Sequence, residues 1–441
     1  MRMKKIGMVS LGCAKNRVDS ENMLGMLRQR GFEIVSDPAE ADVLFVNTCG
    51  FIESAKEESI EAIFEMAQYK NRRPGAKLYV TGCLAQRYPD ALMSEIPEID
   101  GLLGVADYAR LFDMMADAEA GGRPCYTANG ARFLNVPRVL TTPGYSAYVK
   151  ISDGCDNRCT YCAIPLIRGS YQSGPFADIV EVCARLAAEG VTEITLIAQD
   201  TSRYGCDLGD GHYMLPERLE AVSAINGVHW VRVLYCYPDS TEDRLLDAIQ
   251  SLPKVAPYLD LPLQHIDDDL LRRMNRRGSA EWIKSRIEAC RRRGIIVRTT
   301  MIVGFPGETE EQFETLMRFV REARFDRLGA FTYSAEEGTA AAKMPDQIDE
   351  AVKRRRLDQL MLLQQSIAME ISQSRVGETC EVLVDGFDEE TGRFYGRSLL
   401  EAPESDGCIW LETTRPLTPG EYVNVKITGA DAYDLEGEVI A

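Results

Sequence analysis

Three closely spaced cysteines give this 441-residue chain its clearest potential for chemistry. Cys155, Cys159 and Cys162 follow the pattern C-x3-C-x2-C, just after a strand-forming segment. Their thiolates can converge on one metal centre, and a cubane iron–sulfur cluster normally takes four thiolates. Because only three are supplied, one iron would stay open to a small ligand. The spacing therefore predicts an iron–sulfur cluster with an open site.

A zinc site is the alternative for these thiolates. Structural zinc takes four ligands, usually from paired C-x2-C units. The three histidines of the chain, His212, His229 and His265, all lie far away in sequence, and no fourth cysteine is nearby. The iron–sulfur interpretation is therefore favoured. Tyr161, between the ligands, is either a packing aromatic or a cofactor contact.

A second set of cysteines is spread along the first part of the chain. Cys13, Cys49 and Cys83 each come just after a predicted strand and follow small residues. The carboxyl ends of parallel strands share one edge of a sheet, where ligands bind. We therefore expect these three thiols to meet in space and to hold a second open cluster. Three buried structural cysteines are the alternative.

The elements that must position the second set alternate between strands and helices, which predicts a doubly wound parallel sheet with helices packed on it. The predicted strands are Ile6–Leu11, Val43–Val46 and Leu78–Val80, and the helices Asp19–Arg30, Ser54–Tyr69, Arg87–Glu95 and Ala106–Ala120. A connector rich in Gly and Pro follows, from Gly121 to about Pro143.

The central region repeats this alternation six times, fewer than the eight units of a full barrel, so we predict a partial (β/α)6 barrel. Its predicted strands are Ala147–Ile151, Glu193–Ala198, Val231–Tyr235, Tyr258–Leu261, Val297–Val303 and Leu328–Phe331. A long helix, about Asp349–Ser374, follows. Sites in such folds lie at the carboxyl ends of the strands.

The last region changes character, with short strands separated by turn residues. The strands are Cys380–Val384, Arg393–Ser398, Cys408–Glu412 and Tyr422–Ile427. This pattern predicts a small five-stranded, all-β barrel of the OB type.

Composition narrows the class of protein. The net charge of −18 disfavours general affinity for nucleic acid or anionic membrane. Thirteen cysteines, an odd number in a long chain, argue against a disulfide scaffold. No apolar run is long enough for a membrane span, and the start does not resemble a secretory signal. We expect a cytoplasmic protein.

The cysteine pattern at 155–162 is that of the radical S-adenosylmethionine (SAM) superfamily. The segments Ser10–Asn16, Val46–Cys49 and Val80–Cys83 resemble the amino-terminal domain of the methylthiotransferases, and the end of the chain resembles a TRAM domain. The resemblance covers essentially the whole chain. It implies a methylthiotransferase domain over residues 1–125, a radical SAM domain over 141–372 and a TRAM domain over 376–441.

Within this family the chain resembles the branch that modifies a ribosomal protein. The motifs are Val18–Glu21, Ala198–Thr201, Leu261–His265 and Arg298–Glu308. The transfer-RNA branch typically has Gln-Ser-Gly in place of Gln264-His265-Ile266. Two positions depart from the family: Ala14 replaces a common proline, and Gln172–Gly174 replaces a more basic segment. The second departure affects contacts near the site rather than the chemistry.

The resemblance implies a mechanism with two [4Fe-4S] clusters and SAM. The open iron at Cys155, Cys159 and Cys162 would chelate SAM, and one electron would cleave it to a 5′-deoxyadenosyl radical. That radical would take hydrogen from the β-carbon of an aspartate in small-subunit ribosomal protein twelve. Methylated sulfur from the Cys13, Cys49 and Cys83 cluster would then join this carbon.

The resemblance also turns the barrel strand ends into candidate cofactor contacts, in addition to Tyr161. They are Gln199, Asp200, Gln264, His265 and Gly304. A loop or capping role is the alternative for each polar residue, and His265 is equally well explained as a structural histidine. Gly304 would allow close approach of adenine to the backbone.

The charge of the terminal barrel bears on the substrate. Residues 376–441 contain 15 acidic and 4 basic side chains, a formal charge of −11. A barrel that binds RNA has a basic groove with stacking aromatics, whereas this one would attract a basic protein. We therefore expect it to dock the ribosomal protein and not to bind nucleic acid strongly.

Two other functions remain as alternatives: the same chemistry on a transfer-RNA adenosine, and a non-catalytic, metal-stabilised interaction protein. The expected partners of the enzyme are an electron donor such as flavodoxin and a sulfur donor. We expect a monomer without membrane contact.

Overall fold

A computed structural model describes residues 3–128, 133, 135–209 and 211–440. These residues form two compact units, each held together by contacts within the unit. Unit 1 comprises Met1–Thr141, Ser152–Gly174 and Ser334–Ala342, and unit 2 comprises Thr142–Ile151, Pro175–Tyr333 and Lys343–Ala441. The domain limits expected from the sequence remain a prediction. The two compact units divide the chain differently, because Ser152–Gly174 and Ser334–Ala342 of the central region belong to unit 1.

A six-stranded, wholly parallel sheet forms the centre of unit 1, with strand order β2-β1-β3-β4-β5-β6. Its strands are β1 Lys5–Ser10, β2 Glu33–Ile34, β3 Val43–Thr48, β4 Lys77–Gly82, β5 Gly101–Leu103 and β6 Cys125–Tyr126. Its helices are α1 Ala14–Gln29, α2 Glu53–Arg72, α3 Cys83–Arg87, α4 Pro89–Glu95 and α5 Leu111–Glu119. Phe45 and Tyr79 belong to one core and Leu44 and Val80 to another. Alternate residues of a strand point to opposite faces, so both faces are covered and the predicted doubly wound sheet is confirmed.

Several helix limits differ from those expected. Helix α1 begins at Ala14 rather than Asp19, so Cys13 is its N-cap residue. The helix expected over Arg87–Glu95 is two helices, and α3 starts at Cys83 itself. Pro89 begins α4, because proline lacks an N–H and is favoured in a first turn. Strands β2, β5 and β6 were not predicted, since two or three residues carry no periodicity.

The chain then enters unit 2 for β7, Ser146–Lys150, and returns to unit 1. There β8 Ser152–Asp153, α6 Ile164–Arg168 and β9 Gln172–Ser173 form a small insertion, in which β8 and β9 pair antiparallel. Gly154 lies at φ 75°, and a Cβ on it would meet Ser170 O at 2.1 Å. Only glycine therefore permits the tight return of this insertion.

Unit 2 contains the six-stranded partial barrel. Its remaining strands are β10 Glu193–Ile197, β11 Trp230–Val233, β12 Tyr258–Asp260, β13 Ile296–Val303 and β14 Arg327–Thr332. Its helices are α7 Phe176–Ala188, α8 Leu215–Ser223, α9 Asp243–Ser251, α10 Asp268–Arg273, α11 Ala280–Arg292, α12 Glu310–Ala323 and α13 Glu350–Ser374. The strands pair in parallel as β11-β10-β7 and β12-β13-β14. The Cys236 N–H donates to Asp260 O at 2.9 Å and joins the two halves.

The terminal region is a closed five-stranded barrel, as predicted, with strand order β15-β16-β17-β19-β18. The strands are β15 Thr379–Asp388, β16 Arg393–Arg397, β17 Ile409–Glu412, β18 Tyr422–Ala430 and β19 Leu435–Val439. Its aliphatic core includes Val382, Ile409 and Val425. The sequence pattern did not reveal β19, in which Glu436, Gly437 and Glu438 separate the two apolar residues Leu435 and Val439.

The small barrel packs against the amino-terminal ends of the large barrel's strands, within unit 2. Arg397 donates to both carboxylate oxygens of Glu193, the first residue of β10, at 3.0 Å each. Arg232 of β11 donates to Leu399 O at 2.9 Å, and the Tyr258 hydroxyl of β12 donates to Asp406 at 2.8 Å. The carboxyl ends of the strands are therefore at the opposite end of the large barrel from these contacts. None of the described helices combines the length and the apolar character needed to cross a membrane.

Candidate active site

The parallel sheet of unit 1 brings Cys13, Cys49 and Cys83 together. Strands β1, β3 and β4 are neighbours in register, with Ser10 opposite Asn47 and Thr48 opposite Gly82. Cys49 and Cys83 directly follow their strands, and Cys13 ends the short turn into α1. A negative charge on Cys13 raises the pKa of both other thiols, and Cys49 raises that of Cys83. Because the three strands are neighbours in register, the three cysteines lie at one edge of the sheet; their role as cluster ligands stays a prediction.

Two glycines allow the loops to approach so closely. Gly12 lies at φ 89°, and a Cβ on it would lie 3.0 Å from Cys49 Cβ and 3.2 Å from its Sγ. Gly82 lies at φ 96°, and a Cβ there would meet Asn47 Oδ1 at 2.3 Å and Thr48 O at 2.5 Å. Both positions combine a left-handed backbone with no space for a side chain.

Buried amides and hydroxyls tie the same three loops together. The Asn16 amide donates to Leu11 O at 2.6 Å and to Thr48 O at 3.2 Å. Asn47 donates to Asn16 O at 2.8 Å and to Ser20 Oγ at 2.6 Å. The Thr48 hydroxyl donates to the carbonyl of Thr81 at 2.6 Å, which connects β3 to β4. These hydrogen bonds hold the three loops that carry the cysteines in place relative to one another.

The three thiols differ in their electrostatic surroundings. Nearby protein atoms, which keep some water from the Cys13 sulfur, oppose its ionisation, but Lys15, Arg168 and two backbone N–H groups outweigh this effect and lower its pKa. Burial raises the pKa of Cys49 despite the Phe51 N–H. Burial also raises the pKa of Cys83 to about 12, and Arg168 opposes this shift. Cys13, which is exposed, is therefore the most readily ionised of the three.

Cys155, Cys159 and Cys162 line one cavity of about 400 Å³, also within unit 1. The Cys155 N–H donates to Gly169 O at 3.1 Å, and the Cys162 N–H donates to Cys159 O at 3.0 Å. Between them Arg158 has φ 50°, a left-handed conformation that is unusual for arginine. The loop is therefore wound around a concave surface to which all three cysteines contribute.

A nine-residue segment, Ser334–Ala342, closes this cavity from the other side; we name it the strap. Gly338, Thr339 and Ala340 line the cavity, and the Ala341 N–H donates to Thr160 O at 2.8 Å. The strap also contacts the helix that begins with Cys83: Arg87 donates to Glu336 at 3.0 Å and to Glu337 O at 2.6 Å. It therefore contacts the surroundings of both cysteine sets.

The predicted cofactor contacts at strand ends lie in unit 2. Both amide atoms of Gln199, just past β10, are buried and have no hydrogen-bond partner among the described residues. The same holds for Oε1 of Gln264, which follows β12 and has φ 71°. Buried polar atoms normally have partners, and strained backbone clusters at functional sites. These two amides therefore suit a polar ligand.

The other candidates have partners close at hand. Asp200 is buried and accepts from Ser202 Oγ at 2.9 Å. His265 is fully buried: its Nδ1 accepts from the Asp267 N–H at 3.0 Å, whereas its Nε2 lies 3.3 Å from Glu308 Oε1 without a hydrogen bond. Gly304 donates to Glu308 at 2.6 Å.

A side chain fills the space at Gly304, where a Cβ would meet Lys353 Cγ at 2.3 Å. Tyr161 is half-buried in the cysteine loop. Roles for these residues as cofactor contacts stay a prediction.

The donor sets fit iron–sulfur clusters. None of the thirteen cysteines, all within the described residues, forms a disulfide. Within that same part of the chain, no three His, Cys, Asp or Glu side chains are gathered around a point as one metal ion requires. In a cubane each thiolate binds a different iron, so its ligands stand further apart than around zinc. Three thiols lining a 400 Å³ cavity match that need.

Several residues that build the site were not predicted as site residues. Arg168 and the strap carry no sequence signal, because their partners are far away along the chain. Asn16 and Asn47 lie in motifs noted above, beside Cys13 and Cys49, and their position next to ligand cysteines was the available clue. A buried asparagine at a strand end commonly bonds neighbouring loops rather than solvent.

Comparison with known proteins agrees with this architecture. Residues 5–104 match the family model described as "Uncharacterized protein family UPF0004", residues 149–320 the "Radical SAM superfamily" and residues 376–440 the "TRAM domain". The chain is 48% identical over 443 residues to "Ribosomal protein uS12 methylthiotransferase RimO" of Desulforamulus reducens, covering 99% of this chain and 100% of that one. The protein of the same name from Lachnoclostridium phytofermentans is 48% identical over 438 residues, covering 98% and 99%.

Solved structures share the fold at low identity. The radical SAM methyltransferase TsrM from Kitasatospora setae is 14% identical, with a TM-score of 0.58 over 75% of this chain and 72% of that chain. The SAM radical enzyme OxsB is 12% identical, with a TM-score of 0.54 over 82% and 56%. The fold, the two sets of three cysteines and the identity along almost the whole chain lead to one conclusion: this chain belongs to the family of ribosomal protein uS12 methylthiotransferases, within the radical SAM superfamily.

Proposed function

We propose that this radical SAM methylthiotransferase adds a methylthio group to the β-carbon of an aspartate in ribosomal protein uS12. The observation that carries the proposal is the pairing of two three-cysteine sites in one compact unit, in a chain 48% identical to proteins bearing that name. A structural metal site needs four ligands, whereas each set here leaves a coordination position for a reactant. The radical SAM family implies one cluster and SAM, and the proposal adds a second cluster.

The two sites have different tasks. Cys155, Cys159 and Cys162 hold the cluster that binds SAM, and Cys13, Cys49 and Cys83 hold the cluster that carries the transferred sulfur. When bound, these groups supply a radical able to remove hydrogen from an unactivated carbon, together with an activated sulfur. The protein contributes binding, orientation and exclusion of side reactions.

The chain's own residues suit that task. Gln199 and Gln264 offer buried amides for polar groups of SAM. Hydrogen removal by a radical needs no general base, which agrees with only three histidines in the chain. The most buried of them, His265, is engaged by Asp267 and Glu308. The electron donor, of the flavodoxin type, a separate sulfur donor, a monomeric state and a cytoplasmic location stay predictions.

Reconstitution with purified uS12 tests the proposal. The protein is loaded anaerobically with iron and sulfide, mixed with SAM and a one-electron reductant, and the uS12 peptides are analysed by mass spectrometry. We expect one aspartate to gain a methylthio group in place of one hydrogen. Unmodified uS12, under conditions where SAM is cleaved, contradicts the proposal; transfer to a transfer-RNA adenosine instead establishes the alternative substrate.

Two triple variants separate the sites in the same assay. C155A/C159A/C162A is expected to lose SAM cleavage and modification together. C13A/C49A/C83A is expected to keep cleavage of SAM but to lose methylthiolation and about half of the iron, since each cubane holds its own iron. Unchanged iron content in the second variant would show that no cluster binds there.

The surface of the small barrel supports a basic protein substrate. Phe387 is 49% exposed at the tip of the β15–β16 hairpin, where it packs on Phe394 with ring centroids 4.9 Å apart. Asp388, Glu389 and Glu390 follow directly. An exposed aromatic beside three acidic residues attracts a cationic protein surface and repels a phosphate backbone. We name Phe387–Glu390 the acidic tip.

Binding of uS12 to charge-neutralised variants tests this surface. E389Q/E390Q removes two exposed charges of the acidic tip and is expected to weaken binding about tenfold at low salt. E412Q/E438Q is the matched control, because it removes two exposed charges from the adjacent strands β17 and β19 instead. Equal effects of the two variants would mean that net charge, not the acidic tip, attracts the substrate.

A further inference from the structure

Arg168 connects the two cysteine sites through one buried side chain. It ends helix α6, six residues after Cys162, and is 3% exposed. Its Nη1 donates to both carboxylate oxygens of Asp153, at 3.2 and 3.0 Å. Asp153 stands two residues before Cys155. One nitrogen of the guanidinium is thus held by the loop of the 155–162 site.

The other nitrogen points to the 13/49/83 site. Nη2 lies 3.1 Å from Asp19 Oδ2, 3.6 Å from Cys83 Sγ and 3.5 Å from Asn16 Oδ1. Asn16 and Asp19 lie on α1, which begins directly after Cys13. The second nitrogen therefore contacts Cys83, a predicted ligand of that site, and helix α1, which begins directly after a second predicted ligand, Cys13.

The geometry requires arginine rather than lysine. A guanidinium is planar and always charged, and it donates in two directions at once. An ammonium at the end of a lysine chain is a single point of charge and does not span Asp153 and Cys83 together. All four partners are buried, so the positive charge is poorly screened by water.

We propose that Arg168 is a positioning residue that donates an N–H to the Cys83 sulfur and thereby raises the reduction potential of the cluster at Cys13, Cys49 and Cys83. Hydrogen bonds to ligand sulfurs and nearby charge are what set such potentials. A buried cation favours the reduced cluster, which carries one more negative charge. The inference rests on the proposed function only in requiring that these three cysteines hold a cluster.

The experiment measures the potential of that cluster alone. In the C155A/C159A/C162A background only the second cluster forms, and its reduction is followed by a redox titration with electron paramagnetic resonance. Arg168→Gln is expected to make reduction at least tenfold less favourable, which for one electron is about 59 mV. Arg168→Lys keeps the charge but does not hold both partners, so its potential is expected to fall between those of the unsubstituted background and Arg168→Gln.

Arg138→Gln is the matched control. Arg138 is also buried in unit 1, where it pairs with a buried glutamate, Glu21. We expect no shift in the potential from this variant. A shift in Arg138→Gln as large as that in Arg168→Gln would overturn the proposal, because it would reflect general loosening of the unit.

A second variant, Asp153→Asn, tests the proposal independently if Arg168→Gln does not fold or does not bind iron. Asp153→Asn leaves the cation in place and removes a negative charge that offsets it, so reduction should become more favourable, the opposite sign. No change, or a shift in the same direction as Arg168→Gln, overturns the proposal. If the background protein binds no iron, this inference and the second cluster of the proposed function both fail. If it binds iron but uS12 stays unmodified, only the proposed function fails.

Discussion

Single glycines limit which residues the second cysteine site tolerates. Gly82 and Gly31 both have left-handed backbone, at φ 96° and 82°. At Gly82 a Cβ would overlap Asn47 and Thr48, whereas at Gly31 nothing lies within 4 Å. The two positions therefore separate the cost of the backbone conformation from the cost of the collision.

Substitution by alanine at these positions gives a first prediction. Gly31→Ala should lower the free energy of unfolding by about 1 to 2 kcal/mol, the cost of a left-handed alanine. Gly82→Ala should lower it by about 3 kcal/mol, because overpacking adds to that cost, and should also reduce bound iron. Urea denaturation followed by circular dichroism, with an iron assay, measures both. Equal effects at the two glycines would mean that the close approach at Gly82 is unimportant.

The unequal pKa values of the cysteines give a second prediction at the residue scale. The thiolate is the reactive form, and Cys13 is exposed with a lowered pKa, whereas burial raises that of Cys83 to about 12. In the iron-free protein at pH 8, iodoacetamide should modify Cys13 at least ten times faster than Cys83. Peptide mass analysis over time gives the rates, and urea-unfolded protein is the control in which they should be similar. Faster modification of Cys83 would contradict the assigned environments.

At the scale of elements, the link between β16 and β17 anchors the small barrel. Glu401 in this link is buried and accepts from Arg375 at 2.5 Å and Arg327 at 3.3 Å. Burial disfavours its charge, but the two arginines outweigh burial and lower the pKa of Glu401 below 4.5. A carboxylate with a depressed pKa stabilises the folded state above its unfolded pKa, and this contribution is lost as the pH falls.

Glu401→Gln gives the third prediction. At pH 7 it should lower the free energy of unfolding by about 3 kcal/mol, because two buried arginines lose their carboxylate. As the pH falls below about 4.5, the glutamate of the unfolded chain takes up its proton first, so the stabilising effect of the folded carboxylate and the difference between the two proteins should shrink. Denaturation between pH 3.5 and 7 measures this, with the exposed Glu412→Gln as control. A difference independent of pH would show that the charge of Glu401 is not what matters.

At the scale of the whole molecule, the negative charge is uneven, and the small barrel has a structural role beside its proposed role in docking. Its acidic tip faces solvent, whereas Arg397 and the 398–406 link contact the amino-terminal ends of the large barrel's strands. Removal of residues 376–441 would leave buried Glu193 and Arg232 without these partners. Deletion therefore mixes a loss of stability with any loss of substrate docking.

The fourth prediction follows from this dual role. A chain ending at Arg375 should melt at least about 10 °C below the full-length protein. Several kcal/mol of buried interactions are lost, and each kcal/mol of lost stability lowers the melting temperature of a domain of this size by a few degrees. E389Q/E390Q should melt within about 2 °C of wild type, because both side chains are exposed. Differential scanning calorimetry measures both. An unchanged midpoint for the truncated chain would mean that the large barrel does not depend on the small one.

The architecture followed from local patterns in the sequence. Strand–helix alternation predicted the parallel sheet and the partial barrel, and the turn-rich end predicted the small barrel. Cys155, Cys159 and Cys162 are close in sequence, so their joint lining of one cavity was predictable from spacing. Convergence of Cys13, Cys49 and Cys83 was also predictable, because parallel strands end on one edge. Short strands such as β2 and β6, and the start of α1 at Ala14, were not, since two residues or one helical turn carry too little periodicity.

The sequence by itself therefore determined the fold class, the two sets of cysteines and the acidic character of the small barrel, all of which depend on residue type and local order. Only the tertiary structure decided which side chains support them. Arg168 contacts Cys83, Asp19 and Asp153, and the strap contacts the loop of the 155–162 set and the helix that begins with Cys83, through pairs of residues separated by as many as 250 positions. Such contacts depend on how the elements pack in space, and no local pattern of residue types encodes them.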